Sequence, residues 1–245
     1  ILGVIPARYA STRFPAKPLV DIAGKSMVQR VFEQAKKSSV LDKVVVATDD
    51  ERIAQHVKSF GGEACITSAN HPSGTDRCFE TLTQQTEPFD YVINIQGDEP
   101  FIEPQQIALL ASLLDGQVQL ATLAKKINDA TSLFNPNIVK VVFNKTGEAL
   151  YFSRSPVPHV RNLPNDKCTE TNIHFKHIGM YAYRADVLGK INRLSVSALE
   201  KAESLEQLRW LENGYRIHVA ETTLETIGID TPEDLEKALQ WLESK

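Results

Sequence analysis

Three cations, Arg8, Arg13 and Lys17, stand in one loop directly after the first apolar run of the chain, Ile1–Ile5. Guanidinium groups offer forked donors to non-bridging phosphate oxygens, and lysine adds a compact charge, so the set suits a polyphosphate. Ser11 and Thr12 add hydroxyls, while Pro6, Pro15 and Pro18 keep the stretch from continuing as helix. The wording is neither GxxxxGK[ST] nor GxGxxG, which disfavours a P-loop ATPase or a nicotinamide enzyme. Elsewhere the same cations would read as a solvated basic surface. At the carboxyl end of a buried strand, they read as a ligand loop.

A second chemistry is acidic. Gln96-Gly97-Asp98-Glu99-Pro100 follows the apolar run Tyr91–Ile95, so a glycine-permitted turn carries Asp98 just past a strand. Such a carboxylate suits a hard divalent cation such as Mg2+, which takes one or two carboxylates plus phosphate oxygens and water. Asp230, in Gly228–Asp234, is nominated as the second carboxylate; its other reading is a plain helix cap before Pro232. Glu99 reads equally as a neighbour of the site or as a solvated acid. Ser73-Gly74-Thr75-Asp76-Arg77 sits at a helix start, where Ser73 or Thr75 caps the helix or faces a ligand.

Further along, Arg154 ends a predicted strand, and His177 and Tyr181, four apart in another, share a face. Glu206 and Arg209 lie side by side on a helix. Each has a structural alternative: a hairpin end for Arg154, a satisfied core histidine for His177, a surface pair for Glu206 and Arg209.

The elements that must position these groups alternate. Strands are expected at Ile1–Ile5 (ended by Pro6), Lys43–Thr48, Ala64–Thr67 and Tyr91–Ile95. Helices are expected at Ser26–Lys37, after Asp49-Asp50, and from about Thr75 to Thr86. Continuous apolar strands separated by helices imply a parallel, doubly wound α/β sheet. The second half changes character: Val139–Phe143 and Glu148–Phe152 flank a hairpin turn, and strands follow at Ile178–Arg184 and Tyr215–Ala220. One helix is expected over Ala198–Asn213, another after Pro232, and a loop over Pro156–Asn172.

Composition narrows the classes. A net charge of −4 over 245 residues argues against a nucleic-acid or membrane-surface protein. Three widely spaced cysteines without metal-ligand spacing favour a reduced, cytoplasmic setting. No apolar run is long enough for a membrane span or a signal peptide.

The segments together resemble a known family. IPARYASTRFPAKPL, SGTDR, QGDEP, YFSR, KHIGMYAYR, LEQLR and IDTPED, in this order, are similar to the pattern of the Kdo (3-deoxy-manno-octulosonate) cytidylyltransferases, from Ile5 to the final helix. The first loop departs from that pattern at Ala16, where the family usually has glycine. The resemblance implies a Rossmann-like nucleotidyltransferase fold of three α/β/α layers, mostly parallel with a smaller antiparallel extension. It implies a single domain over 1–245, with a nucleotide half to about 124 and a sugar-binding and dimerisation half beyond.

It also implies transfer of CMP from CTP to Kdo, or to its 8-amino form, with Mg2+, in a homodimer serving lipopolysaccharide synthesis. Lys17, Asp98, Asp230 and Arg13 would be catalytic, with Asp98 and Asp230 on the metal. CTP would meet Ala7, Arg8, Ser11, Arg13, Lys17, Ser73, Gly74 and Thr75, with Arg77 at the mouth of the site. The sugar would meet Gln96, Arg154, His177, Tyr181, Glu206 and Gln207. A sialic-acid enzyme fits the first loop less well. A non-catalytic nucleotide binder would not need Asp98, Asp230 and Lys17 together, nor would a lectin need the cationic loop. The stretch around Leu133–Lys145 is a candidate for pairing.

Overall fold

The structure, a computed structural model, describes residues 1–10, 14–162 and 164–243. The chain forms two compact units, Ile1–Ala108 with Glu225–Lys245, and Leu109–Leu224. The first unit is thus discontinuous in sequence, and the division differs from the single break near residue 124 expected above.

In the first unit the alternation of apolar strands and amphipathic helices is realised as β1 (Leu2–Ala7), a short β2–β3 hairpin (Asp21–Ile22, Lys25–Ser26), α1 (Met27–Lys36) and β4 (Lys43–Thr48). Then follow α2 (Glu51–Ser59), β5 (Glu63–Ile66), α3 (Gly74–Thr83), β6 (Tyr91–Asn94) and α4 (Pro104–Ala111). The strands run in the order β6-β1-β4-β5, all parallel, with Leu2 beside Val92 and Lys43, and Val45 beside Glu63. Val4, Ile5, Val46 and Ile93 have no exposed surface, because helices cover both faces of a parallel sheet. Pro6 does not end β1. The pairing with β6 runs only over Leu2–Val4, so the missing N–H of proline costs no bond on that side, and the strand continues to Ala7.

The C-terminal helix, Pro232–Glu243, belongs to this unit. Ile229 and Ala238 pack with Ile22 and Met27 in one buried cluster, joined by Phe14, Phe101 and Leu235. This packing holds the last segment against the β2–β3 hairpin and the start of α1.

The second unit contains β7 (Leu120–Lys126), α5 (Ala130–Phe134), β8 (Lys140–Phe143), β9 (Ala149–Ser153), β10 (Phe175–Arg184), α6 (Ala185–Ile191), α7 (Ala198–Glu203), α8 (Glu206–Glu212) and β11 (Ile217–Glu221). β7 lies between β11, parallel to it, and β10, antiparallel to it; β8 pairs antiparallel with β10 and β9. This is the antiparallel part of the fold. The single helix expected over Ala198–Asn213 is two. Ser204 takes a left-handed conformation (φ 52°) and Leu205 is extended, which turns the chain between α7 and α8. The stretch expected as loop over Pro156–Asn172 holds a 3-10 helix at Asn165–Thr171.

Candidate active site

The first loop is shaped by its own backbone. Ala16 N–H donates to the Tyr9 carbonyl at 3.0 Å, which closes the loop, and Lys17–Leu19 then winds into a 3-10 turn. Arg52 stacks on the Tyr9 ring, its guanidinium carbon 3.4 Å from the ring centroid. Arg8 reaches across to the Pro72 carbonyl at 3.1 Å, tying the loop to the segment before α3. Ser11 and Arg13 lie outside the described residues. Ala7, at the end of β1, is buried.

Ala16 is the residue at which this chain departs from the usual glycine, and it sits at φ 56°. A Cβ in the left-handed region costs roughly 1–2 kcal/mol relative to the right-handed one. Ala16→Gly should therefore relieve strain and raise stability by several tenths to about 1 kcal/mol, less the added freedom of glycine in the unfolded chain. Chemical denaturation reads it; a clear loss of stability would show that the left-handed turn is not strained.

Lys17 is the centre of the site. Its ammonium lies 2.9 Å from Asp98 Oδ2 and 3.0 Å from Asp230 Oδ1, with only 15% of its side chain exposed. Burial opposes the charge, yet the two carboxylates outweigh it and hold the lysine above its ordinary pKa. Two carboxylates more than 130 residues apart in sequence thus converge on one nitrogen of the loop after β1.

The convergence has a backbone cause. Ile229 N–H donates to the Asp98 carbonyl at 2.9 Å, so the segment before the C-terminal helix is laid along the turn after β6. The alternative reading of Asp230 as the cap is also resolved. Thr231 and Asp234 cap the helix reciprocally, Asp234 N–H on Thr231 Oγ1 at 3.3 Å and Thr231 N–H on Asp234 Oδ2 at 3.1 Å. The Asp230 carboxylate reaches Lys17 instead.

The turn itself depends on Gly97. A Cβ built there would lie 2.4 Å from the Pro6 carbonyl oxygen, so the Gln96–Asp98 turn presses directly on the end of β1. Gln96 is partly buried in the same turn.

Ser73 and Asp76 form a capping box, Asp76 N–H on Ser73 Oγ at 3.2 Å and Ser73 N–H on Asp76 Oδ2 at 3.1 Å. Gly74 packs against the Pro6 ring, and Thr75 is buried. Arg77 corrects an expectation. Instead of standing at the mouth of a site, it is fully buried, donating to Asp49 Oδ2 and Thr67 Oγ1, each at 2.7 Å. Its place one helical turn along α3 aims it under the sheet's carboxyl edge, where Asp49 follows β4. Spacing alone carried no sign of that partner, since Asp49 reads as a helix cap and Asp50 fills that role.

The second unit brings together its own set. β10 carries a bulge between Ile178 and Tyr181, and the rings of His177 and Tyr181 still meet across it, centroids 5.1 Å apart. Thr122 Oγ1 fills the bulge, meeting the Ile178 and Met180 carbonyls and His177 Nε2 at 2.8–3.0 Å. Desolvation between Phe152 and Tyr181 lowers His177 to about 3, so the ring is neutral at ordinary pH. Burial likewise raises Tyr181, which packs edge-on against Trp210 of α8.

Glu206 pairs with Arg209 at 3.0 Å, and Arg209 also meets Glu200 at 3.1 Å; Gln207 is buried. The guanidinium of Arg154 rests on three carbonyls, of Glu203 at 2.7 Å, Pro136 at 3.1 Å and Ser204 at 3.3 Å. That is the hairpin-end role, although each terminal nitrogen has a further N–H for a ligand.

The family profile described as cytidylyltransferase matches residues 2–239, nearly the whole chain. The chain belongs to the cytidylyltransferase family. Relatives within it include the 3-deoxy-manno-octulosonate cytidylyltransferase of Cytophaga hutchinsonii, 58% identical over 96% of this chain and 94% of that one. The enzyme of the same name from Parabacteroides distasonis is 56% identical over 100% of this chain and 98% of its own. Among solved structures, a CMP:2-keto-3-deoxy-manno-octonic acid synthetase complexed with CTP superposes at a TM-score of 0.92, with 44% identity over 99% of this cytidylyltransferase and 98% of that chain. A 4-diphosphocytidyl-2C-methyl-D-erythritol synthase from Anaerococcus prevotii, at 14% identity and a TM-score of 0.64, shares the fold alone.

Proposed function

We propose that this cytidylyltransferase transfers CMP from CTP to an acidic sugar of the Kdo type, releasing pyrophosphate. The observation that carries the reading is the meeting of Lys17, Asp98 and Asp230 at the loop after β1, an acidic pair and a cation at the carboxyl edge of a parallel sheet. Names and similarity of full-length relatives support the nucleotide and the sugar class.

In the proposed reaction the anomeric hydroxyl attacks the α-phosphorus of CTP in line. A sugar O–P bond forms, the bond from the α-phosphorus to the α,β-bridging oxygen breaks so that pyrophosphate leaves with its electron pair, and the hydroxyl proton passes to water. The protein's part is positioning and charge neutralisation. Lys17 and Arg8, with Arg13, are the groups for the phosphates. His177, Tyr181, Arg154, Glu206, Gln207 and Gln96 are those for the sugar, Arg154 being the cation for its carboxylate.

The donors at Asp98 and Asp230 fit Mg2+: both are hard oxygens, and together they already hold one cation, the Lys17 ammonium. Among the described residues no group of three or more acids, histidines or cysteines could hold a metal, so substrate oxygens and water would complete the shell. Bound there, Mg2+ would supply Lewis-acid neutralisation of the phosphates.

The proposal includes a cytoplasmic homodimer. None of the three cysteines forms a disulfide, which suits a reducing compartment. No described helix is long and apolar enough to cross a membrane. An apolar groove lined by Val142, Phe143, Ile173 and Phe175 overlaps the stretch nominated for pairing and supports a second copy; light scattering should then give twice the chain mass, and a monomer mass would remove the dimer from the proposal.

The test is to let Kdo and its 8-amino analogue compete for CTP with Mg2+ and to isolate the nucleotide sugar. CMP-Kdo as the main product is expected. Predominance of the 8-amino product would reassign the acceptor, and no pyrophosphate with either sugar would overturn the reading.

A further inference from the structure

The second unit buries one ammonium group completely. Lys140, the first residue of β8, has no exposed surface. Its Nζ donates to the carbonyls of Asn135 at 3.0 Å, Ile138 at 2.6 Å and Arg154 at 2.6 Å. Among the described residues no carboxylate closes an ion pair with it, and burial lowers its pKa despite the more distant Glu203. A charge in such a place is costly unless its hydrogen bonds are satisfied. What the ammonium gains is three backbone carbonyls.

Those carbonyls belong to two segments that also hold Arg154. The turn at Asn135–Ile138 supplies Pro136, whose carbonyl takes Arg154 Nη1 at 3.1 Å. The main chain of Arg154 is gripped from both sides, its carbonyl by Lys140 and its N–H by the Glu203 carboxylate at 2.9 Å. The rest of the guanidinium lies on the Glu203 and Ser204 carbonyls at the end of α7. Lys140 therefore fixes the backbone from which Arg154 projects and the turn against which its guanidinium rests.

We propose that Lys140 is a positioning residue for Arg154, setting the angle at which the guanidinium meets the carboxylate of the acid sugar. The inference rests on the reading of Arg154 as a sugar contact. A guanidinium grips a carboxylate through paired N–H groups in a fixed fork, so a small rotation of its base loses the fork. A neutral side chain at 140 would leave three carbonyls unsatisfied and free the 135–138 turn to shift.

The experiment measures steady-state pyrophosphate release for Lys140→Met, Arg154→Ala and the double variant, varying Kdo and CTP separately. Lys140→Met is expected to raise KM for Kdo by roughly ten-fold while KM for CTP stays within about two-fold. In the Arg154→Ala background the same change should add less than about two-fold, because its effect passes through Arg154. A rise in both KM values together, or losses that multiply in the double variant, would overturn the positioning role in favour of general structural support.

If Lys140→Met does not fold, Lys140→Gln carries the test, since its amide can still donate to part of the carbonyl set; the same split, smaller in size, is expected. Arg154→Ala separates the two claims. If it leaves KM for Kdo unchanged, the sugar-contact reading itself is lost. If it raises that KM while the Lys140 variants do not, only the positioning claim is lost.

Discussion

Replacing Asp98 with Asn should lower CTP-dependent pyrophosphate release by roughly 10²–10³-fold or more, with little change in the folded structure. The two side chains have the same shape, and the Asp98 carbonyl that receives Ile229 N–H is untouched. What changes is charge. Asp98 and Asp230 jointly favour the charged form of Lys17, and in the proposed reaction they are also the residues that would hold the divalent cation.

The pH of the assay does not confuse the result. The raised lysine pKa means that its ion-pair contribution is fully present below the unfolded value of 10.5 and is lost only as pH rises through the higher folded value. An assay near pH 8 therefore compares charge at Asp98 alone. Turnover close to that of the parent protein, at saturating CTP and Mg2+, would remove Asp98 from the reacting centre. Asp230→Asn should follow the same course.

Gly97→Ala should disable the protein by a different route. The new methyl carbon would stand 2.4 Å from the Pro6 carbonyl oxygen and 3.6 Å from Ile5 Cγ2. Real contacts of this kind do not fall so short, and Pro6 is held in register beside Ala47 in the sheet, so the 96–98 turn must give way. Overpacking of this sort typically costs about 1–3 kcal/mol. Displacing the turn also moves Asp98 and, through Ile229, Asp230. Unfolding midpoint and pyrophosphate release should both fall, the activity by more than the loss of folded protein explains. A variant with normal stability and turnover would mean that the turn has slack which the close approach to β1 denies.

Much of this was legible in the sequence because burial and local chemistry act over short stretches. KVVVAT could only be a two-sided buried strand, and it is β4 to the residue. Asp98 and Asp230 could be nominated singly, each from its own turn. Their meeting could not be read, since it depends on one backbone hydrogen bond from Ile229 and on a cluster around Ile22 and Met27.

β7 escaped notice because LATLAKK lacks the β-branched density of the other strands; its identity comes from being clasped between β10 and β11. The break at Ser204 escaped because ALEKAESLEQLRWLE keeps a helical apolar rhythm straight through it. Arg77 was misplaced because a basic residue beside SGT reads the same whether it faces a ligand or a buried acid. Only the position of Asp49 decides.

The first compact unit is assembled from the two extremes of the chain, Ile1–Ala108 and Glu225–Lys245. During synthesis the N-terminal strands emerge and fold early. The carboxylate that completes the clasp on Lys17 is translated more than 200 residues after the lysine itself. A nascent chain that has not yet reached Asp230 therefore lacks the finished acid pair, and the clasp on Lys17 waits for that late segment to emerge and dock.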